Sequence, residues 1–249
     1  MSRSLGLLML WRCAIVGLIG LAASDAAAGE AHLTVLFHVR PPYAYYDAGQ
    51  QVAGILAVPV STALAKAGIS ADWVEMPPAR QTEEIKRAKD AACGLGWFKR
   101  PEREAFAAFT DPIYRDRATI IVARKDDARF ADGMSLEDSF QDASRTLIVK
   151  TGYSYGAEID DWITKLQPHT QVSSSTNELL LGMLVQARGD YIIMAPEEAE
   201  DLLGSKAEFG SSLHAVQLSD APDGELRYLM CSKATPAELI TRFNKALAR

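Results

Sequence analysis

Between His32 and Phe98 the sequence alternates short β-rich runs with helical stretches, and this alternation restricts the fold more than any other feature. "HLTVLFHV" reads as a strand, ended by Arg40, Pro41 and Pro42, where proline fixes φ and restricts the residue before it. "GILAVPVSTALAKAGI" has apolar residues at helical spacing and stops at Gly68, with Pro59 in its first turn. "ADWVEM" is a second strand, "ARQTEEIKRAK" an amphipathic helix and "AACGLGWF" a third strand. The order βαβαβ calls for a parallel sheet with helices packed on it.

The second half repeats the theme. "ATIIVARK" is a strand, and Ser135 with Asp138 three residues on suits a helix start. "TLIVKTGYSYGAEIDDWITKL" reads strand, turn, helix; "NELLLGMLVQARGDYIIMAPEEAEDLL" reads helix, strand, helix. "ELRYLMCSK" is a last strand, followed by a closing helix with Thr235 as cap and Pro236 at its first position.

The N-terminus has a different character. Arg3 and Arg12 accompany the apolar run "LGLLMLWRCAIVGLIGLAA", and Ala26 to Ala28 fit a small-residue cleavage site, so residues 1–28 read as a secretory signal peptide. Arg12 leaves the uninterrupted apolar part short of the roughly 20 residues a membrane span needs. Without these residues the net charge moves from −6 to −7, which disfavours nucleic acid as a partner. Cys93 and Cys231 remain. In an oxidising compartment they can pair, or they can stay as two buried thiols. Their spacing fits no zinc site, so no metal is expected.

Enzyme chemistry finds little support. His32, His38, His169 and His214 are scattered and belong to no motif. "GYSYG" (Gly152 to Gly156) matches the form of a hydrolase elbow, but the order of acid and histidine needed downstream is poorly supplied. Gly152 and Ser154 better suit a set of donors at a helix N-terminus, a place that favours anions.

Several segments fall in one order: "RPPYAYYDAGQQVAGILAVPVSTALAKAGISADWVEMPPARQTEEIKRAK", "GWFKRPEREAFAAFTDPIYRD", "GYSYG" and "ARGDYIIMAPEEA". Together they resemble the bacterial extracytoplasmic solute-binding proteins of the polar amino-acid type, over residues 32–249. The most specific part is "RPEREAFAAFTDPIY", with Arg103 six residues before Phe109. The resemblance implies a two-lobed type II periplasmic-binding fold, two α/β lobes joined by two hinge strands. Residues 29–116 and 226–249 would form lobe 1, and residues 117–225 lobe 2. It makes Cys93 and Cys231 lobe-1 neighbours, which favours a disulfide.

The resemblance also implies a ligand site. Arg103 falls where the family clamps a ligand carboxylate, and a guanidinium fork suits that task. Ser154 and Tyr153 fall on a lobe-2 turn that offers donors to the same group. Trp97 and Phe98 end a strand facing the cleft. Arg40 replaces the family's stacking aromatic, with Tyr43, Tyr45 and Tyr46 close by to stack instead or simply to pack. Arg80 would reach the cleft floor. Three departures stand out. Leu95, Gly96 and Phe98 lie where hydroxyls are usual; Ala195 takes the place of the acid that grips a ligand amine, leaving Glu197 or Glu198 to substitute; and Gly54-Ile55-Leu56 lacks another expected acid.

The expected function is therefore capture of an amino-acid-like or carboxylate-bearing solute in the periplasm, for an ABC permease in the inner membrane. No cofactor and no catalysis are expected, and the protein is expected to be a monomer. The alternative is a ligand-sensing or accessory module of the same fold for a membrane signalling partner.

Overall fold

The computed structural model describes residues 31–248. The signal-peptide reading of residues 1–28 lies outside them. In chain order the first elements are β1 (His32–Phe37), β2 (Tyr45–Tyr46), β3 (Val52–Ala53), α1 (Ala57–Lys66), β4 (Ser70–Glu75), α2 (Pro78–Arg87), β5 (Ala92–Phe98), α3 (Pro101–Glu104), β6 (Ala107–Phe109) and β7 (Tyr114–Arg115). The chain continues with β8 (Ile120–Arg124), α4 (Leu136–Gln141), β9 (Leu147–Lys150), α5 (Ala157–Leu166), β10 (Thr170–Ser173), α6 (Asn177–Val185), β11 (Tyr191–Met194), α7 (Pro196–Ser205), α8 (Ala207–Ser212) and β12 (Leu213–Val216). It closes with β13 (Leu226–Ser232) and α9 (Ala237–Leu247).

Two larger sheets result. The first runs β4-β1-β5-β13-β6, with β7 also paired to β13. In it β1, β4 and β5 are parallel, and β13 returns antiparallel to β5. The second runs β10-β9-β11-β8-β12, with β8 antiparallel to both of its neighbours. Each sheet is buried on both faces. Leu33, Val35 and Phe37 pack to one side of β1 and Leu36 to the other; in β8, Ile120 and Val122 face one core, Ile121 and Ala123 the opposite one. This is why these strands read as continuous apolar runs rather than as alternating ones.

The chain crosses between the sheets twice, and the crossings touch. The Asp116 amide donates to the Glu225 carbonyl at 3.0 Å. A Cβ at position 224 would lie 1.7 Å from the Asp116 carbonyl oxygen, so only glycine permits the crossing.

Local capping follows the sequence at Ser135, whose hydroxyl accepts from the Asp138 amide. The C-terminal helix corrects the expectation. It begins at Ala237 with Pro236 as cap residue and no side-chain cap. The buried Thr235 hydroxyl instead contacts Ser232 Oγ at 3.2 Å and the Ala92 carbonyl at 3.4 Å, tying the turn to β5. Cys93 and Cys231 face each other across β5 and β13 and are joined as a disulfide. Among the described residues no helix is long and apolar enough to cross a membrane, and no cluster of His, Cys, Asp or Glu could hold a metal ion.

Candidate functional site

The site begins with an irregularity in β5. Cα partners pass from Tyr228↔Trp97 to Leu229↔Leu95, so Gly96 is an extra residue, and its φ of 77° is one that glycine adopts without strain. This bulge frees the Gly96 carbonyl to accept from Arg227 Nη1 at 3.0 Å. It also aims Trp97 and Phe98 between the sheets. Trp97 is held by its Nε1 donating to Gln81 Oε1 at 3.1 Å, and buried Gln81 is anchored in turn on the Met76 carbonyl.

Arg103 sits one short helix later, its guanidinium 4.9 Å from the Trp97 ring centre. Its Nη1 donates to the Phe98 carbonyl at 2.9 Å, which fixes the fork without neutralising it. Among the described residues Arg103 takes part in no ion pair within 4.0 Å. Burial, together with Arg100, lowers its pKa below the ordinary arginine value, with Glu102 opposing. A desolvated, uncompensated guanidinium is a site for an anion.

Arg40 follows β1 in a turn whose Pro41–Pro42 peptide is cis. It reaches across to lobe 2. Its Nε donates to Glu198 Oε1 at 2.7 Å and its Nη2 to Oε2 at 2.5 Å. The Tyr43 and Tyr153 rings cover it, each 5.0 Å from the guanidinium carbon. Glu198 is buried, and Asn177 Nδ2 also donates to its Oε1 at 2.7 Å. Burial alone would raise its pKa; Arg40, aided by Arg227 and Asn177, outweighs this and holds the carboxyl below its ordinary range.

Beneath them lies a second buried pair. Arg227 donates from Nε and Nη2 to the two Asp116 oxygens, at 2.6 Å each, and Tyr43 Oη adds a bond to Oδ1 at 3.2 Å. Arg100 also crosses the cleft, donating to Ser154 Oγ at 2.8 Å and approaching Asp160 Oδ2 at 3.2 Å.

These groups enclose two adjoining cavities. One, of about 430 Å³ including its mouth, is lined by Arg103, Trp97, Phe98, His38, Tyr153 and Ser154, among others. The other, of about 600 Å³ including its mouth, is bordered by Glu198, Lys150, Asn177, Asp116 and Arg227 among others.

The structure thus brings Arg103, Trp97, Phe98, Arg40, Tyr153 and Ser154 onto one cavity, with Glu198 next door and Tyr43 beneath Arg40. Arg80 is exposed on α2 and lines neither cavity. Glu197 turns toward the crossing strands, accepting from Tyr114 Oη at 2.8 Å and the Arg117 amide at 3.0 Å, and lines neither cavity. The expectation of Gly152 and Ser154 as donors at a helix N-terminus is corrected for Ser154. Helix α5 starts at Ala157, and Glu225 Oε1 takes that amide at 2.7 Å. The Ser154 hydroxyl donates to Asp160 and accepts from Arg100. Sequence reasoning missed Asp116, Arg227, Arg100, Lys150 and Asn177. Arg227 carried a signal, a lone arginine inside an otherwise apolar strand.

His38 yields a pH test. Burial, then Arg40 and Lys150, lower its pKa to about 3, with Glu198 opposing and Arg227 adding to the effect. Its Nε2 lies 3.2 Å from Tyr153 Oη. The folded state keeps this imidazole neutral, whereas the unfolded chain protonates it below about pH 6.5. Its contribution to stability is complete above that pH and is lost as pH falls toward 3. Between pH 7 and pH 5 the loss is about 2 kcal/mol. Urea unfolding at both pH values is expected to show a drop smaller by about that amount in His38→Gln. Equal drops in both proteins would refute the assignment.

The model of the bacterial extracellular solute-binding proteins, family 3, matches residues 33–249. The chain belongs to this family. No curated protein matches the sequence. Solved structures share its fold, the two-lobed type II periplasmic-binding fold. An ancestral arginine-binding protein bound to arginine has a TM-score of 0.68 and 19% identity, over 88% of this chain and 91% of that one. The holo arginine-binding protein of T. maritima has a TM-score of 0.67 and 19% identity, over 88% and 89%. A structure from work on glutathione import through GshT and the cystine ABC importer TcyBC of Streptococcus mutans has a TM-score of 0.69 and 14% identity, over 88% of each chain.

Proposed function

We propose that this family member captures a small carboxylate-bearing solute in the periplasm and delivers it to an ABC importer. One observation carries the reading: Arg103 is held over Trp97 in a cavity between the lobes, with its charge uncompensated by any described carboxylate within 4.0 Å. A guanidinium fork in that position can bind a carboxylate through two parallel hydrogen bonds. Tyr153 and Ser154 border the same space from lobe 2, so a bound anion would bridge the lobes. Closure of two lobes around a solute is a hinge motion, and the paired crossings near Asp116 and Glu225 supply a narrow hinge. Import suits the family, whose description is extracellular solute binding.

Calorimetric titration of wild type, Arg103→Ala and Arg103→Lys with small organic and amino acids tests the reading. The alanine variant is expected to lose about 2–5 kcal/mol of binding energy, because the ligand carboxylate is left without its half-buried partner. Lysine should recover only part of this, since it is a point charge without a planar fork. Binding by Arg103→Ala within threefold of wild type would overturn the assignment.

A further inference from the structure

The cleft already contains a cation site, and the protein fills it. A buried carboxylate, Glu198, and two aromatic rings, Tyr43 and Tyr153, form the sort of box that recognises a cationic group. Arg40 occupies it, using both Glu198 oxygens and both ring faces.

The other carboxylates bordering the cleft are also committed. Asp116 receives two bonds from Arg227 and one from Tyr43. Glu225 takes the Ala157 amide and lies 3.6 Å from Arg100. No carboxylate lines the cavity that holds Arg103. On the cationic side, Arg103 and Lys150 are in no ion pair among the described residues, although Lys150 donates to Asn177 Oδ1 at 3.1 Å and sits 4.2 Å from the Tyr153 ring centre.

We infer that the cleft takes small organic acids lacking an α-amine, such as 2-oxo or 2-hydroxy acids, and discriminates against the matching amino-acid zwitterions. This rests on the carboxylate reading of Arg103 and goes beyond it by naming the substrate class. An ammonium group entering beside Arg103 would lose its water and find no free carboxylate, while facing like charges. To gain Glu198 it would have to displace Arg40, leaving that guanidinium unpaired. A carbonyl or hydroxyl at the same carbon carries no such cost.

The test is a set of matched pairs titrated against the full chain: pyruvate and alanine, 2-oxoglutarate and glutamate, 4-methyl-2-oxovalerate and leucine, phenylpyruvate and phenylalanine. Wild type is expected to bind the oxo acid of its preferred pair at least tenfold more tightly than the amino acid. Arg40→Ala, which exposes Glu198 to the ligand, is expected to shift that ratio at least tenfold toward the amino acid. Arg40→Ala also leaves a buried carboxylate alone. If it does not fold, the double variant Arg40→Ala/Glu198→Gln strands no charge and still offers the ligand no carboxylate, so it is expected to keep the wild-type ratio within threefold. An amino acid bound by wild type as tightly as its oxo acid would overturn the inference while leaving the carboxylate clamp intact. An unchanged ratio in folded Arg40→Ala, or a ratio moved tenfold toward the amino acid in the double variant, would overturn the role of Arg40 in masking Glu198. Binding of neither class would overturn the inference and the clamp together.

Discussion

Asp116→Ala is expected to destabilise the fold by about 3–5 kcal/mol, because it leaves the Arg227 guanidinium buried without its counter-charge. Asp116 and Arg227 are 7% and 4% exposed, so water cannot replace the lost partner. The guanidinium lies 4.2 Å from the Tyr43 ring centre and 4.7 Å from that of Phe98, and its further hydrogen bond among the described residues goes to the Gly96 carbonyl. Asp116 also stands where the chain leaves the first sheet, so the pair links the crossing strand to the bulge that aims Trp97 and Phe98. The double variant Asp116→Leu/Arg227→Met separates the pair's net worth from the cost of breaking it. It should be much more stable than either single variant, since apolar replacement of a buried ion pair is often near neutral. Urea unfolding of wild type, Asp116→Leu, Arg227→Met and the double variant gives the coupling energy directly. Additive losses would show that the two side chains do not act as a unit.

Removing the disulfide is the second change with a large expected effect. Cys93 and Cys231 are separated by 138 positions, and both are buried at 1% exposure. Between them the chain completes the first sheet's outgoing strands, the whole second sheet, and both crossings. The bond closes this long path, so its loss frees the unfolded chain more than a short loop would. Replacing both cysteines with alanine is expected to cost about 2–5 kcal/mol. The denaturation midpoint of the double alanine variant, compared with oxidised wild type, measures it. A midpoint unchanged in the variant would mean that the antiparallel pairing of β5 with β13 holds the returning strand unaided.

The two expected losses have a common structural origin. β13 carries both Arg227 and Cys231, and it is the strand that brings the chain back from lobe 2. Its attachment to β5 therefore supports both the core and the cleft floor. A variant lacking the disulfide should remain informative about binding if assayed below its unfolding midpoint, because Cys231 lines neither cavity.

The sequence by itself determined the type and order of the longer elements, while the edge strands β10 and β12 and the short pieces β2, β3, α3, β6, β7 and α8 went unread. Burial periodicity is local: the apolar runs at Val35, Ile121 and Ile192 need only their own neighbours to read as strands buried on two faces. The same holds for the cap at Ser135, which bonds three residues away. Arg103, Trp97 and Tyr153 were legible as a group only through the resemblance of their segments to a family, since nothing in their spacing places them on one cavity. The tertiary structure alone decided how the charges are spent. Arg40 and Glu198 are 158 positions apart, and Asp116 and Arg227 are 111 apart. Each of these residues reads in isolation as a free charge. It becomes half of a pair only when two lobes meet or a returning strand docks, because a buried ion pair depends on the distance between faces that no local pattern records. For the same reason Ser154 could be seen as a donor at a turn, while its capture by Asp160 and Arg100 could not.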